Sequence, residues 1–234
     1  MVALAVPAQA SLIVSDTFSR DDGLLGGSSP EVGAGTWNTT ADWNINSGEA
    51  ASPGGESSAF IPIGHVTPGH TYTFTADARN ALGDGWGSWA GLAFAQTKTS
   101  TFIPWADGVY GMRVDSGQLE IWETTGDFPY KATPAFGDFT VPNQFKLVLD
   151  TTSSAAWSIE YFLNGSEIYT STEAPSLDIN FVMLNSNNDG VSTSIFDNVL
   201  VTDISSVPEV SSSFTMLGLI SSGLLLRRRT KRSR

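Results

Sequence analysis

Residues 71–79 alternate strictly between polar and apolar positions: Tyr72, Phe74, Ala76 and Ala78 fall on one side, Thr71, Thr73, Thr75, Asp77 and Arg79 on the other. A period of two marks a half-buried β-strand, because successive side chains of an extended chain point to opposite faces. Phe145, Leu147 and Leu149 repeat the pattern, and Trp157, Ile159, Tyr161 and Leu163 follow it. Asn164-Gly165 then separates that run from residues 167–171. Asn-Gly suits a two-residue type I′ turn, whose central positions both need φ > 0, so a hairpin is expected there. A second hairpin is expected at Asp115-Ser116-Gly117-Gln118, joining residues 109–114 to 119–123, with closing strands at 181–184 and 195–201. Residues 12–204 hold no helical period and no internal repeat. Many short strands broken by Gly, Asn and Pro predict an all-β, antiparallel sandwich or barrel.

One run breaks the pattern. Residues 214–226 (FTMLGLISSGLLL) are uncharged, and their apolar residues surround a helix rather than forming one stripe. Counted from Val210 the run has 17 residues, roughly 25 Å of helix, the short end for a bilayer. Ser221, Ser222 and Gly223 dilute it, and Arg227, Arg228, Arg229, Lys231, Arg232 and Arg234 follow. An apolar helix stopped by arginines predicts a single C-terminal transmembrane helix, with residues 227–234 cytoplasmic and the domain outside. Val207-Pro208-Glu209, the helix and the arginine-rich end together resemble the PEP-CTERM sorting signal of Gram-negative bacteria, with Val210 in place of the second proline. That resemblance implies processing by an exosortase-like enzyme in the cell membrane, and a cell envelope or extracellular matrix rich in polysaccharide. At the other end, residues 1–10 are apolar and finish in Ala8-Gln9-Ala10. This small-x-small pattern reads as the remnant of a signal peptide cut before Ser11, the alternative being a first strand of the domain. The domain is then 11–204 and the Ser-rich residues 205–213 a linker.

Charge sharpens this division. Of 12 Lys and Arg residues, six lie from Val207 onward with one acid, so the tail carries 6 − 1 = +5 and the rest 6 − 23 = −17. An acidic body repels phosphate backbones, which excludes nucleic acid as the domain's partner. There is no cysteine, so neither disulfides nor thiolate chemistry can operate.

Lys146-Leu-Val-Leu-Asp150 with the run from Trp157 to Asn164-Gly165, Ser15-Asp16-Thr17-Phe18 and Asp197-Asn198-Val199 resembles the concanavalin A-like and laminin-G-like jelly rolls. The resemblance implies that fold, which hosts lectins, glycosidases and adhesion modules alike. Glycosidases of the laminarinase type carry Glu-x-Asp-x-x-Glu; the nearest segment here is Glu120-Ile-Trp-Glu123, without the central Asp. Its two acids, three apart on a regular strand, point to opposite faces and cannot flank one glycosidic bond. His65 and His70 flank a Pro-Gly turn without a third zinc ligand, and no Gly-x-Ser-x-Gly elbow supports a triad. Calcium is the more plausible ion: Asn185, Asn187 and Asp189 follow the early positions of a calcium loop, which an ordinary Asx-rich turn also explains. Asp16 and Asp197, on the first and last strands, are candidates to share a structural calcium. Trp86, Trp89 and Trp105 lie in or near Gly-rich segments, where an exposed ring stacks on a sugar while Asp84 binds its hydroxyls; burial in the core is the alternative. The expectation is an exported, non-catalytic β-sandwich linked to extracellular polysaccharide. A lectin-like module is the alternative, and a glycoside hydrolase the lesser one.

Overall fold

The alternating runs fold as strands. The computed structural model describes residues 10–81, 88–98, 108–115, 118–122, 138–175, 177–187 and 193–205. The strands, in chain order, are β1 (Ala10–Asp16), β2 (Gly23–Leu24), β3 (Asn38–Thr39), β4 (Asn44–Asn46) and β5 (Glu49–Ala51). They continue as β6 (Ser57–Pro62), β7 (His70–Asn80), β8 (Trp89–Ala95), β9 (Val109–Asp115) and β10 (Gln118–Trp122). The last are β11 (Asn143–Asp150), β12 (Trp157–Leu163), β13 (Ser166–Glu173), β14 (Phe181–Asn187) and β15 (Ser194–Ser205).

They form two antiparallel sheets. In a nine-stranded sheet the neighbours run β13, β12, β11, β7, β15, β5, β4, β2, with β1 also pairing with β15; a six-stranded sheet runs β10, β9, β8, β14, β6, β3. The sheets bury their inner rows against each other. Tyr72, Phe74, Ala76 and Ala78 of β7, Phe145, Leu147 and Leu149 of β11, and Trp157, Ile159, Tyr161 and Leu163 of β12 face the core as their alternation predicts. Opposite them lie Ala90, Leu92 and Phe94 of β8 and Tyr110, Met112 and Val114 of β9. The Phe74 and Phe94 rings meet across the sheets at 6.2 Å.

Both expected hairpins form. Asn164 and Gly165 take φ of 50° and 79°, the left-handed pair a type I′ turn needs. Asp115 pairs with Gln118, so β9 and β10 are joined by two residues. In β15 the register shifts between Asp197 and Leu200 against β7, and Asn198 sits at φ 52°. This bulge lets the strand serve β5 with its first residues and β1 with its last.

The strand-poor N-terminal stretch is held by one carboxylate. Asp16, fully buried, accepts the Phe18 N–H at 2.9 Å and the Arg20 guanidinium at 2.6 and 3.0 Å, and the Trp37 indole N–H at 2.7 Å. Four donors fill both oxygens, as a buried charge requires. The expected transmembrane stretch 214–226, the expected sorting motif Val207-Pro208-Glu209, the basic cluster and residues 1–9 lie outside the described residues. Among the described residues no helix is long and apolar enough to cross a membrane.

Candidate functional site

The six-stranded sheet departs from simple alternation. All seven residues of β8 are buried, as are residues 109–114 of β9 and the middle of β14, so burial does not alternate along these strands as it does along β7. The register places a polar row across the sheet's outward face: Glu120 opposite Arg113, Arg113 opposite Gly91, Gly91 opposite Asn185, and Asn185 opposite Ser58. Five strands each contribute one residue. On one side of it runs an apolar row, with Trp122, Ala93, Met183 and Phe60 in a cluster of their own, separate from the main core.

Arg113 organises the row. Its Nε donates to Glu120 Oε2 at 2.7 Å, and its guanidinium lies 4.0 Å from the Trp89 ring centroid and 4.9 Å from that of Trp122. Two strand positions on either side of one arginine thus supply aromatic rings, a cation–π arrangement strengthened by burial. Gly91 makes the room: a Cβ there would stand 2.7 Å from the Met112 carbonyl oxygen and 2.8 Å from the Arg113 Cβ. Further along, the Trp89 indole N–H donates to Asn185 Oδ1 at 2.8 Å, and Asn185 Nδ2 donates to Ser58 Oγ at 2.8 Å and to the Ser57 carbonyl at 3.3 Å. The backbone of Trp89 is fixed from within: Ser194 Oγ lies 2.9 Å from its carbonyl and 2.8 Å from Asn80 Oδ1.

The structure shows the fold of known sugar-handling proteins. No family model and no curated protein matches the chain. Among solved structures, the Emp46p carbohydrate recognition domain in metal-free form superposes with a TM-score of 0.54 at 11% identity, covering 70% of this chain and 87% of that one. The Emp47p carbohydrate recognition domain gives 0.53 at 11% identity, covering 83% and 98%. A double variant of the alginate lyase Aly36B in complex with alginate trisaccharide gives 0.52 at 14% identity, covering 84% and 98%. The shared feature is the two-sheet jelly roll. The Emp46p domain is also known in a potassium-bound form.

Trp89 and Asn185, read from sequence for different ligands, are hydrogen-bonded to each other on one face of the sheet. Asn185 lies in strand β14 with its amide hydrogen-bonded to Trp89, Ser58 and Ser57, and Asn187 ends the same strand; Asp189 is outside the described residues. Asp84, Trp86 and Trp105 are also outside them. The expected sharing of calcium by Asp16 and Asp197 is corrected by the pleat. Asp16 pairs with Val199, which faces the core, whereas Asp197 pairs with Asp77 on the outer face. Arg20 already neutralises Asp16. Among the described residues no three His, Asp or Glu side chains are placed to hold a metal.

The outer face of the nine-stranded sheet is different in kind. Asp77, Asp197 and Asn198 line a shallow groove there with Glu49 and Arg79. Arg79 Nη2 donates to Glu49 Oε2 at 2.7 Å, and Asn198 Nδ2 donates to Asp77 Oδ2 at 2.8 Å. Burial, with repulsion from Glu49, Asp77 and Asp16, holds the Asp197 carboxyl above its ordinary value, against the lowering effect of the Asn198 N–H it accepts. Neither histidine is a bare turn residue. His70 Nδ1 lies 2.8 Å from Asp203, and His65 Nδ1 lies 2.8 Å from Asp178.

Sequence reasoning missed Arg113 as the centre of the face. A signal was present: only six Lys or Arg precede Val207 against 23 acids, so each cation there is a residue worth tracing.

Proposed function

We propose that the domain is a non-catalytic carbohydrate-binding module that engages glycan over the outward face of its six-stranded sheet. The observation that carries this is the row Glu120–Arg113–Gly91–Asn185–Ser58 with Trp89 and Trp122 beside Arg113. The row is buried and holds its own groups in fixed positions, so it serves as the floor, and flat aromatic rings above it offer π faces to the C–H faces of pyranose rings. The likeness to carbohydrate recognition domains supports the reading. In this account the floor is prearranged, so a ligand finds oriented groups without ordering them first. Trp86 and Trp105, three and four residues from the starts of β8 and β9 in sequence, supply the rings that meet the sugar. Glu120 is bound to Arg113, which supports a holding role over a catalytic one. We further infer from the Pro-Glu motif, apolar run and arginine cluster that the module is exported and reaches the cell envelope through its tail, where an exosortase-like enzyme acts on it.

A glycan array probed with the full-length chain in a non-glycosidic detergent tests the binding reading. Reproducible hits that disappear in Trp86→Ala are expected. An array without hits leaves a purely structural role in the matrix and defeats the proposal.

A further inference from the structure

The two sheets each end in a short free edge at the same place. β2 terminates the nine-stranded sheet and β3 the six-stranded one. A groove runs between them, lined by Leu24, Gly26 and Gly27 on one side and Thr36, Asn38, Thr39 and Asp42 on the other, with Trp37 and Trp43 also in its lining. The turn is tied to the β3 side by the Gly27 N–H donating to the Trp37 carbonyl at 2.8 Å and the Trp37 N–H donating to the Ser28 carbonyl at 2.9 Å.

The polar groups of this groove are unspent. The Asp42 carboxylate and the Thr36 and Thr39 hydroxyls make no hydrogen bond among the described residues, although Asn38 is engaged with Thr36 and Lys98. The Trp43 indole N–H is buried with no hydrogen-bond partner among the described residues, in a residue otherwise packed on Phe196 at 5.6 Å. Leu24 is 60% exposed at the lip, an apolar surface open to solvent. Gly26 keeps the opening clear, since a Cβ there would reach 2.7 Å from Thr39 Oγ1.

We propose that this groove between the free sheet edges is a second sugar site, taking one uncharged pyranose. Asp42 accepts from a pair of adjacent ring hydroxyls, Thr36 and Thr39 exchange hydrogen bonds with others, and Leu24 packs on the C–H face. Among the described residues the Asp42 carboxylate is the one ionised side chain lining the groove, with Lys98 spent on the lining residue Asn38 at 3.0 Å, and the groove stands on a body of net charge −17. A uronic acid is therefore repelled both at contact and at a distance.

The test is a titration of the full-length, isotope-labelled chain in a non-glycosidic detergent with methyl glycosides of glucose, galactose and mannose, and with glucuronate. At least one neutral glycoside shifts the backbone amides of residues 24–27 and 36–43, and Asp42→Asn weakens it about tenfold, as loss of a charged hydrogen-bond acceptor does. Asp42 is exposed, so that variant folds. No shift with any neutral glycoside, an affinity unchanged in Asp42→Asn, or glucuronate binding as tightly overturns the proposal. Shifts confined to β8, β9 and β10 overturn it too, while leaving the face of the six-stranded sheet as the sugar site.

Discussion

The two sheets share a core but present opposite outward faces. On the nine-stranded sheet, polar residues alternate outward with Thr71, Thr73, Thr75 and Thr202 at its centre, half-buried or exposed. On the six-stranded sheet the middle outward positions are buried, and they hold an arginine, two tryptophans and a hydrogen-bonded asparagine. Each face has an Arg–Glu pair with a 2.7 Å contact, yet the settings differ: the Arg113 and Glu120 side chains are 8% and 13% exposed, those of Arg79 and Glu49 24% and 31%. The difference teaches that distance does not set the worth of an ion pair. Dehydration raises both the attraction and the cost of leaving one partner alone. A face that accepts that cost has reasons to hold its groups in fixed positions, which is how recognition surfaces work.

Breaking the contrast on the costly side has the largest effect. Arg113→Met strands the Glu120 carboxylate beside two aromatic rings and lowers stability by about 3–5 kcal/mol, read by denaturant unfolding. The double variant Arg113→Met with Glu120→Leu recovers most of that loss, because the unpaired charge goes with its partner. Trp89→Phe comes next. It keeps one aromatic ring but removes the N–H that Asn185 Oδ1 accepts, and costs about 1–3 kcal/mol. On the other face, Arg79→Met costs under about 1 kcal/mol, since solvent screens the Glu49 it abandons. A loss equal to that of Arg113→Met would erase the contrast.

The smallest effect is a pH dependence at Asp197. Its carboxyl is raised in the folded protein, so the folded state holds that proton more tightly than the unfolded chain does. Its contribution to stability is fully present below the ordinary aspartate value of about 3.9 and declines as pH rises through the folded value. Asp197→Asn therefore raises Tm slightly near neutral pH and leaves it unchanged in acid at about pH 3. Thermal unfolding at both conditions checks this, and a fall in Tm near neutrality contradicts it.

How much of this the chain declares in advance follows from the same contrast. Where one face meets solvent, alternation reports the strand, and β7, β11 and β12 are read correctly to within two residues. Asn164-Gly165 reports its own turn through backbone sterics. Where both faces are covered the period vanishes: Trp89-Ala-Gly-Leu-Ala-Phe-Ala95 reads as a featureless small apolar run, yet it is the strand at the middle of the face. The polar row is invisible for another reason. Its members lie far apart in sequence, from Ser58 to Asn185, and only the register of β6, β8, β9, β10 and β14 lines them up. Strands β2 to β5 are two or three residues long, too short for any period to register. Asp16 misled because sequence shows a carboxylate but not the three partners that surround it.

The central claim is that glycan is held on the outward face of the six-stranded sheet and not on that of the nine-stranded one. Calorimetric titration of the strongest array ligand into the full-length chain, into Trp86→Ala and into Lys146→Ala tests it most directly. Lys146 lies on the nine-stranded face, its Nζ 3.6 Å from the Phe162 ring centroid. The account predicts wild-type affinity for Lys146→Ala and a loss of at least roughly tenfold for Trp86→Ala, the scale of one lost ring contact. Full affinity in Trp86→Ala together with a loss in Lys146→Ala contradicts it.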